Sequence, residues 1–334
     1  MSKGEGRREP SLLVICGPTA TGKTAVAAAL AAEVGGEIVA ADSRTIYRGM
    51  DIGTAKPPPH LRAAVPHHLL DVADPTEVFT VAQYQRLAVA AITDILRRGR
   101  LPLLVGGTGL YIRAVVDGLQ IPRVPPDWAF RRQAEAEEQA APGALYARLQ
   151  QLDPLAAQRI HPHNLRRIIR ALEVIAATGR PISEQQRARP GPWRVLVVGL
   201  WMPRPILYRR IDRRVDEQLA QGLVAEVEGL LARGVPPEAP AMQGLGYKEI
   251  VPYLQGRSSL AAAVAALKRN TRRFARRQES WFRRDPRIRW IDVGDAAPQA
   301  VAAAIRAMLA VNGTSARQGG CLERMHVVPA EAEE

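Results

Sequence analysis

Residues 11–24 read SLLVICGPTATGKT, and this stretch decides the fold. SLLVIC is a short apolar run that enters a glycine loop directly, and Gly17, Gly22, Lys23 and Thr24 satisfy the pattern G-x-x-x-x-G-K-[ST]. AVAAALAAEV (25–34) follows as a helix of strong helix formers with no breaker before Gly35. Strand, glycine loop and helix in that order make a phosphate cradle. The loop Gly17, Pro18, Thr19, Ala20, Thr21 and Gly22 is the binding segment: its glycines let the backbone N–H groups of the non-proline residues turn inward around anionic oxygens, and the helix N-terminus adds its positive dipole end. Lys23 supplies a point charge, and the Thr24 hydroxyl suits a Mg²⁺ ion bridging phosphate oxygens. The loop binds a diphosphate or triphosphate group. By itself it leaves open whether that group is transferred, hydrolysed or released.

Outward from the loop, apolar runs alternate with helical patterns. EIVAA (37–41) reads as a second buried strand ending at Asp42, and HHLLDV (67–72) as a third. TVAQYQRLAVAAITDILRRG (80–99) is an amphipathic helix with a basic last turn, and LPLLV (101–105) is another buried strand leading into GGTG and a further helix. This alternation predicts an α/β fold: a P-loop NTPase-like, doubly wound parallel sheet. It lapses after about residue 119 at the proline-broken IPRVPPDW, and RVLVVGLW (194–201) restores it. Residues 120–190 are therefore read as a helical insertion domain in a core made of 11–119 and 191–312. Helices are expected over 204–233, 258–284 and 296–311, with a last strand at 288–292. Residues 1–10 and 313–334 are polar and expected to be disordered.

Composition narrows the function classes. The chain has 334 residues, 47% hydrophobic and 24% charged, with no long apolar span and no secretory segment at MSKGEGRREP. Its two cysteines, Cys16 and Cys321, lie far apart and at no metal-ligand spacing, so a cytoplasmic protein is expected. The formal charge of +13 calls for a polyanionic partner, with nucleic acid ahead of a membrane surface. Residues 268–289 carry ten basic residues against Glu279 and Asp285. Lys268, Arg272 and Arg276 share one helical face, with Arg269, Arg273 and Arg277 on the adjacent one. In 165–170, Arg166 and Arg170 lie four apart on a helix face with Arg167 beside them, a spacing that suits phosphates. The histidines lack Cys partners at ligand spacing and read as structural.

The segment ADSRTIYRGMDIGTAKP (41–57), taken with GPTATGKT, closely resembles the tRNA dimethylallyltransferases. Further matches follow in order: LLVGGTGLYIRA (103–114), RIHPHNLRRIIRALEV (159–174), RRIDRRVDEQL (209–219), QGLGYKEI (243–250) and the basic helix near 270. The resemblance implies that the exocyclic N6 amine of an adenosine beside the anticodon attacks the first carbon of dimethylallyl diphosphate, with Mg²⁺ as cofactor and the tRNA anticodon stem-loop as partner. It also implies a monomer.

Carried onto this sequence, the resemblance makes Asp42 the general base. Thr19 reaches the bridging oxygen, and Arg214 clamps the diphosphate, in a pattern begun by Arg210. Asp42, Ser43, Arg44, Thr45, Thr108, Arg166, Arg167, Arg170, Gly244, Gly246 and the basic residues near 270 (Lys268, Arg272, Arg276) become tRNA contacts. Relatives often carry Gln where Thr45 stands. On the residues alone, Asp42 equally suits a water-mediated Mg²⁺ role, Thr108 a helix N-cap, and Gly244 and Gly246 a helix start. A P-loop kinase, an RNA-binding protein that uses nucleotide structurally, and an adenylate-prenylating enzyme are the competing functions.

Overall fold

The computed structural model describes residues 11–185, 188–312 and 325–326. Its contacts divide the chain into two compact units, Met1–Ile112 with Pro192–Glu334, and Arg113–Gly191.

In the first unit the strands are β1 (Leu12–Cys16), β2 (Glu37–Ala40), β3 (His67–His68), β4 (Pro102–Val105), β5 (Val195–Trp201), β6 (Ile288–Asp292) and β7 (Met325–His326). They form one parallel sheet in the order β3-β2-β4-β1-β5-β6-β7. β1 lies between β4 and β5, and all five of its residues are buried. That is why LLVIC is continuously apolar rather than alternating: a central parallel strand is covered on both faces. Leu13 and Ile15 join a core with α1 (Lys23–Val34), including Val26, Ala27 and Leu30. α2 (Pro59–Ala64) follows the proline run, and α3 (Val81–Arg97) opens on a full capping box between Thr80 and Gln83. α3 buries Tyr84, Ala88, Ile92 and Ile95, and Tyr84 donates to the Ala40 carbonyl at 3.0 Å. α4 (Gly109–Val116) begins at the end of β4, where Tyr111 stacks on Tyr84 at 3.8 Å between centroids.

The run HHLLDV is a strand only at its first two residues. Leu69 and Asp71 take φ of 65° and 57°, so the chain leaves the sheet there despite its apolar composition. The polar tail differs from expectation at one point, since Met325–His326 pairs with β6. The remaining residues called disordered, 1–10, 313–324 and 327–334, lie outside the described residues.

The second unit is helical: α5 (Trp128–Ala140), α6 (Ala144–Leu152), α7 (Pro154–Arg159), α8 (Leu165–Thr178) and α9 (Ile182–Gln185). Leu145, Leu149, Ile168, Ile169, Leu172 and Val174 form its core. It begins at Arg113 rather than at residue 120, because the second half of α4 belongs to it. Its two ends run together, with an antiparallel bridge between Leu119 and Ala188.

The first unit resumes with α10 (Arg204–Ala220), α11 (Leu223–Ala232), α12 (Tyr247–Leu254), α13 (Leu260–Phe282) and α14 (Pro298–Asn312). Val301, Ala302 and Ile305 of α14 complete the core over α1. Val215, Leu223, Val227, Ile250 and Leu267 build a second core from α10–α13 with Ile46, Tyr47 and Met50. Among the described residues no helix is long and apolar enough to cross a membrane.

Candidate active site

The phosphate loop sits at the carboxyl end of β1, where ligands bind in open α/β sheets. Gly17 has φ of 133°, and a Cβ there would lie 2.3 Å from the Leu200 carbonyl oxygen of β5, so only glycine fits this close approach. Lys23 begins α1 and donates to the Pro18 carbonyl at 2.6 Å, as does the Thr21 hydroxyl at 2.9 Å. Burial and the neighbouring Arg214 lower the Lys23 pKa to about 8, against an opposing pull from Asp42. Arg214, on α10, donates to the Thr19 hydroxyl at 3.2 Å, and its own pKa is lowered by burial while Asp42 pulls it back up. Thr19, Lys23, Arg214 and Asp42 therefore share one electrostatic neighbourhood. Arg210 stands one turn away and turns instead to the Gly294 carbonyl at 3.0 Å and to Asp295.

A pocket of about 110 Å³ connects these groups. Thr19, Lys23, Thr24 and Arg214 line it together with Asp42 and Thr45. Ile38, Ala40, Leu70, Val105 and Phe274 supply apolar wall. Ile38 and Ala40 both line the pocket because alternate side chains of a strand share a face, and Asp42 follows just beyond the strand end. Lys23, Thr24, Ala55, Pro57 and Arg214 also line a wider cleft of about 890 Å³, so the loop is open to both cavities. Asp42 accepts the Arg44 N–H on Oδ1 at 2.8 Å, which fixes the carboxylate; among the described residues Oδ2 has no protein partner.

The segment after Asp42 is pinned side to side. The Ser43 N–H donates to the Thr108 hydroxyl at 3.0 Å, so Thr108 braces this segment. Arg44 donates to the Pro240 carbonyl and packs on Gly244. Gly246 is the N-cap of α12, its N–H bound by Glu249 at 2.9 Å. Thr45 is buried and lines the pocket, and among the described residues its hydroxyl has no hydrogen-bond partner.

The basic helix divides differently from the sequence reading. Lys268 is paired with Asp216 at 2.6 Å and Arg272 with Asp212, so this face of α13 clamps α10 rather than presenting free cations. Arg276, expected on that same face, is exposed instead and joins the cations of the adjacent one. Arg273, Arg276, Arg277 and Arg284 surround Trp281 and Ser280 in a groove of about 470 Å³. In the helical unit, Arg166 and Arg167 are exposed, but Arg170 is committed to Glu173 and to the Val124 carbonyl. His68 pairs with Glu37, and His67 binds the Val65 carbonyl, as structural histidines do. Among the described residues no cluster of three or more metal-ligating side chains is present.

Sequence reading missed a support behind the pocket. Glu226 of α11 accepts the N–H groups of Asp51, Ile52 and Gly53 at 2.8, 2.8 and 3.0 Å, and the Tyr247 hydroxyl at 2.6 Å. Gln218 donates to the Ile52 and Gly53 carbonyls. Lys56, buried, bonds Asp51, Asp71 and the Tyr47 carbonyl. These contacts hold residues 51–57, which wall the cleft beside the phosphate loop.

The IPP transferase family profile matches residues 45–285. A tRNA dimethylallyltransferase of Roseiflexus castenholzii is 57% identical over 278 residues, covering 83% of this chain and 91% of the relative. One of Thermomicrobium roseum is 51% identical over 288 residues, covering 86% and 87%. The tRNA isopentenylpyrophosphate transferase of Bacillus halodurans is similar in structure, with a TM-score of 0.69, 42% identity and coverage of 91% of this chain and 97% of that one. A eukaryotic dimethylallyltransferase described as acting on tRNA superposes with a TM-score of 0.75 at 29% identity, covering 89% and 77%.

Proposed function

The chain belongs to the IPP transferase family, and from that premise we infer that it takes dimethylallyl diphosphate as donor for the N6 amine of the adenosine 3′-adjacent to the anticodon of tRNA. It is a prenyltransferase that modifies tRNA. One observation carries the mechanistic reading. A single pocket is lined by the phosphate-loop residues Lys23 and Thr24, the Arg214–Thr19 pair, apolar wall, and a carboxylate anchored through one oxygen with the other open.

The adenine amine shares its lone pair with the ring and is a weak nucleophile until its proton has an acceptor. Asp42 Oδ2 takes that proton as the bond from N6 to C1 of the donor forms. The C1–O bond breaks as this happens, and negative charge grows on the bridging oxygen and then on the departing diphosphate. Thr19, the loop N–H groups, Lys23 and Arg214 face that charge, and fixed donors aimed at developing charge are a large contribution to such catalysis. Ile38, Ala40, Leu70 and Val105 keep water from the allylic carbon. Thr24, which lines the pocket beside Lys23, is the residue whose hydroxyl would hold a Mg²⁺ ion, and one protein ligand would suffice for an ion that keeps most of its water. The ion supplies charge neutralisation on the leaving group.

A base inside a stacked loop must be turned out to reach such a pocket. Ser43, Arg44, Thr108 and the Gly244–Gly246 turn, braced against one another, are read as the surface that receives it. The arginine groove on α13, and separately Arg166 and Arg167 on α8, are read as phosphate contacts. A monomer working in the cytoplasm is part of this reading. Incubation with labelled dimethylallyl diphosphate and either tRNA or AMP tests it. Transfer to tRNA alone is expected; transfer to AMP, or to neither acceptor with ATP consumed instead, contradicts it.

A further inference from the structure

Gln278 is 6% exposed on α13, and its side chain makes two bonds with parts of the site that lie 259 and 171 positions before it in the chain. Its Oε1 accepts the Thr19 N–H at 2.9 Å, and its Nε2 donates to the Gly107 carbonyl at 2.9 Å. An uncharged amide is the side chain suited to this place, because one end must accept and the other donate. Gly107 is fitted to the contact: a Cβ there would lie 2.3 Å from Gln278 Nε2. Both partners belong to the reaction centre. Thr19 is held at its N–H by Gln278 and at its hydroxyl by Arg214. Gly107 precedes Thr108, whose hydroxyl holds Ser43 beside Asp42. Gln278 itself lines the pocket between them.

We propose that Gln278 is a positioning residue for prenyl transfer. It sets the Thr19 hydroxyl against the bridging oxygen of the leaving diphosphate and keeps it in register with Asp42 across the pocket. The inference rests on the reading of the site given above. In that reading the phosphate loop is positioned by its own backbone and by one side chain from α13. A misplacement of about 1 Å at a reacting group costs on the order of a hundredfold in rate, which is the scale of effect at stake.

The test is a double-mutant cycle on the full chain with dimethylallyl diphosphate and tRNA. Gln278→Met keeps length and volume but makes neither bond, and it is expected to lower kcat by about thirty- to a hundredfold with tRNA Kd within about three-fold of wild type. Thr19→Val removes the hydroxyl that Gln278 positions. The double variant is expected to lose no more than about three-fold beyond Thr19→Val alone, since groups that act as a unit are not additive. Losses that simply multiply, or a kcat for Gln278→Met within about three-fold of wild type, overturn the proposal. Should Gln278→Met fail to fold, Gln278→Glu carries the test, because it retains an acceptor for Thr19 while adding charge beside the diphosphate. Glutamate sets an acceptor against the Gly107 carbonyl, so the register across the pocket is lost: kcat should fall by about ten-fold or more with tRNA Kd little changed, and a kcat within about three-fold of wild type overturns the proposal. Wild-type protein that fails to prenylate tRNA at all would sink the functional reading instead.

Discussion

The carboxylate of Glu226 organises the wall of the cleft beside the phosphate loop, and Glu226→Gln should show this at the cost of one atom's chemistry. Oε2 accepts from Asp51 and Ile52 and Oε1 from Gly53 and the Tyr247 hydroxyl, so four donors converge on one charged group. Glutamine of the same shape has one acceptor oxygen. Turned to keep Gly53 and Tyr247, it sets an NH₂ group against the N–H groups of Asp51 and Ile52. Asp51 is exposed and its N–H can turn to water, whereas Ile52 is half-buried. One half-buried donor left unmatched costs about 1–3 kcal/mol, and losing the charge from the two surviving bonds adds about 1 kcal/mol, for a total of roughly 2–4 kcal/mol. Urea unfolding at pH 7 measures this as a fall in ΔG with an unchanged m-value. Because Asp51, Ile52 and Ala55 line the cleft, the donor KM should rise by about ten-fold if only ~1.4 kcal/mol of that disorder reaches the site. Glu228→Gln, on an exposed position of the same helix, is the control and should change neither quantity. A Glu226→Gln protein within about 0.5 kcal/mol of wild type would refute the reasoning, since it would mean the four bonds are replaceable by solvent.

Three further outcomes follow from the geometry. Lys23 has its pKa lowered to about 8, so the free site loses this charge as pH rises through that value. Donor KM should then increase above about pH 8 and binding should take up a proton there, while a KM flat up to about pH 9 would contradict it. Arg276→Ala or Arg277→Ala should weaken tRNA binding and reduce the salt slope by about one unit each, whereas Lys268→Ala, which breaks a clamp on α10, should leave the slope in place; filter binding across salt concentrations decides. Glu37 is held at about 2, chiefly by its hydrogen bond with Arg98, against 4.5 unfolded. Its stabilisation is thus complete above about pH 4.5, is lost as pH falls towards 2, and amounts to roughly 3 kcal/mol, so Glu37→Gln should unfold more easily at pH 7 and show a shallower acid limb.

Much of this was legible in the sequence wherever the determinants are contiguous. SLLVICGPTATGKT writes out strand, loop and helix in one stretch, and Asp42 follows its strand at once, so the loop and the carboxylate could be found without coordinates. What escaped reading depends on pairings between distant residues. Gln278 meets Thr19 across 259 positions, and a lone glutamine among arginines gives no sign of it. Glu226 meets Asp51 across 175 positions in the same way. The face assigned to Lys268 and Arg272 was misjudged because charge shows in a sequence but the partner does not. A signal was present, though: Asp212 and Asp216 repeat the spacing of four on α10 and receive the two cations in turn. HHLLDV misled for a local reason, since its apolar composition suits a strand but Leu69 and Asp71 adopt positive φ. Arg170 was likewise read from its spacing, while burial of Glu173 draws it inward: burial alone would push that carboxyl up, and Arg131 and Arg170 together hold it at about 2.

The most direct measurement follows both halves of the donor in a single turnover. Dimethylallyl diphosphate labelled in carbon and in both phosphorus atoms is mixed with excess enzyme and tRNA. The carbon label should appear on the tRNA adenosine in step with an equal amount of intact diphosphate, with no orthophosphate formed. Phosphorus label on the tRNA, or orthophosphate released while the five-carbon unit stays off it, would contradict the account.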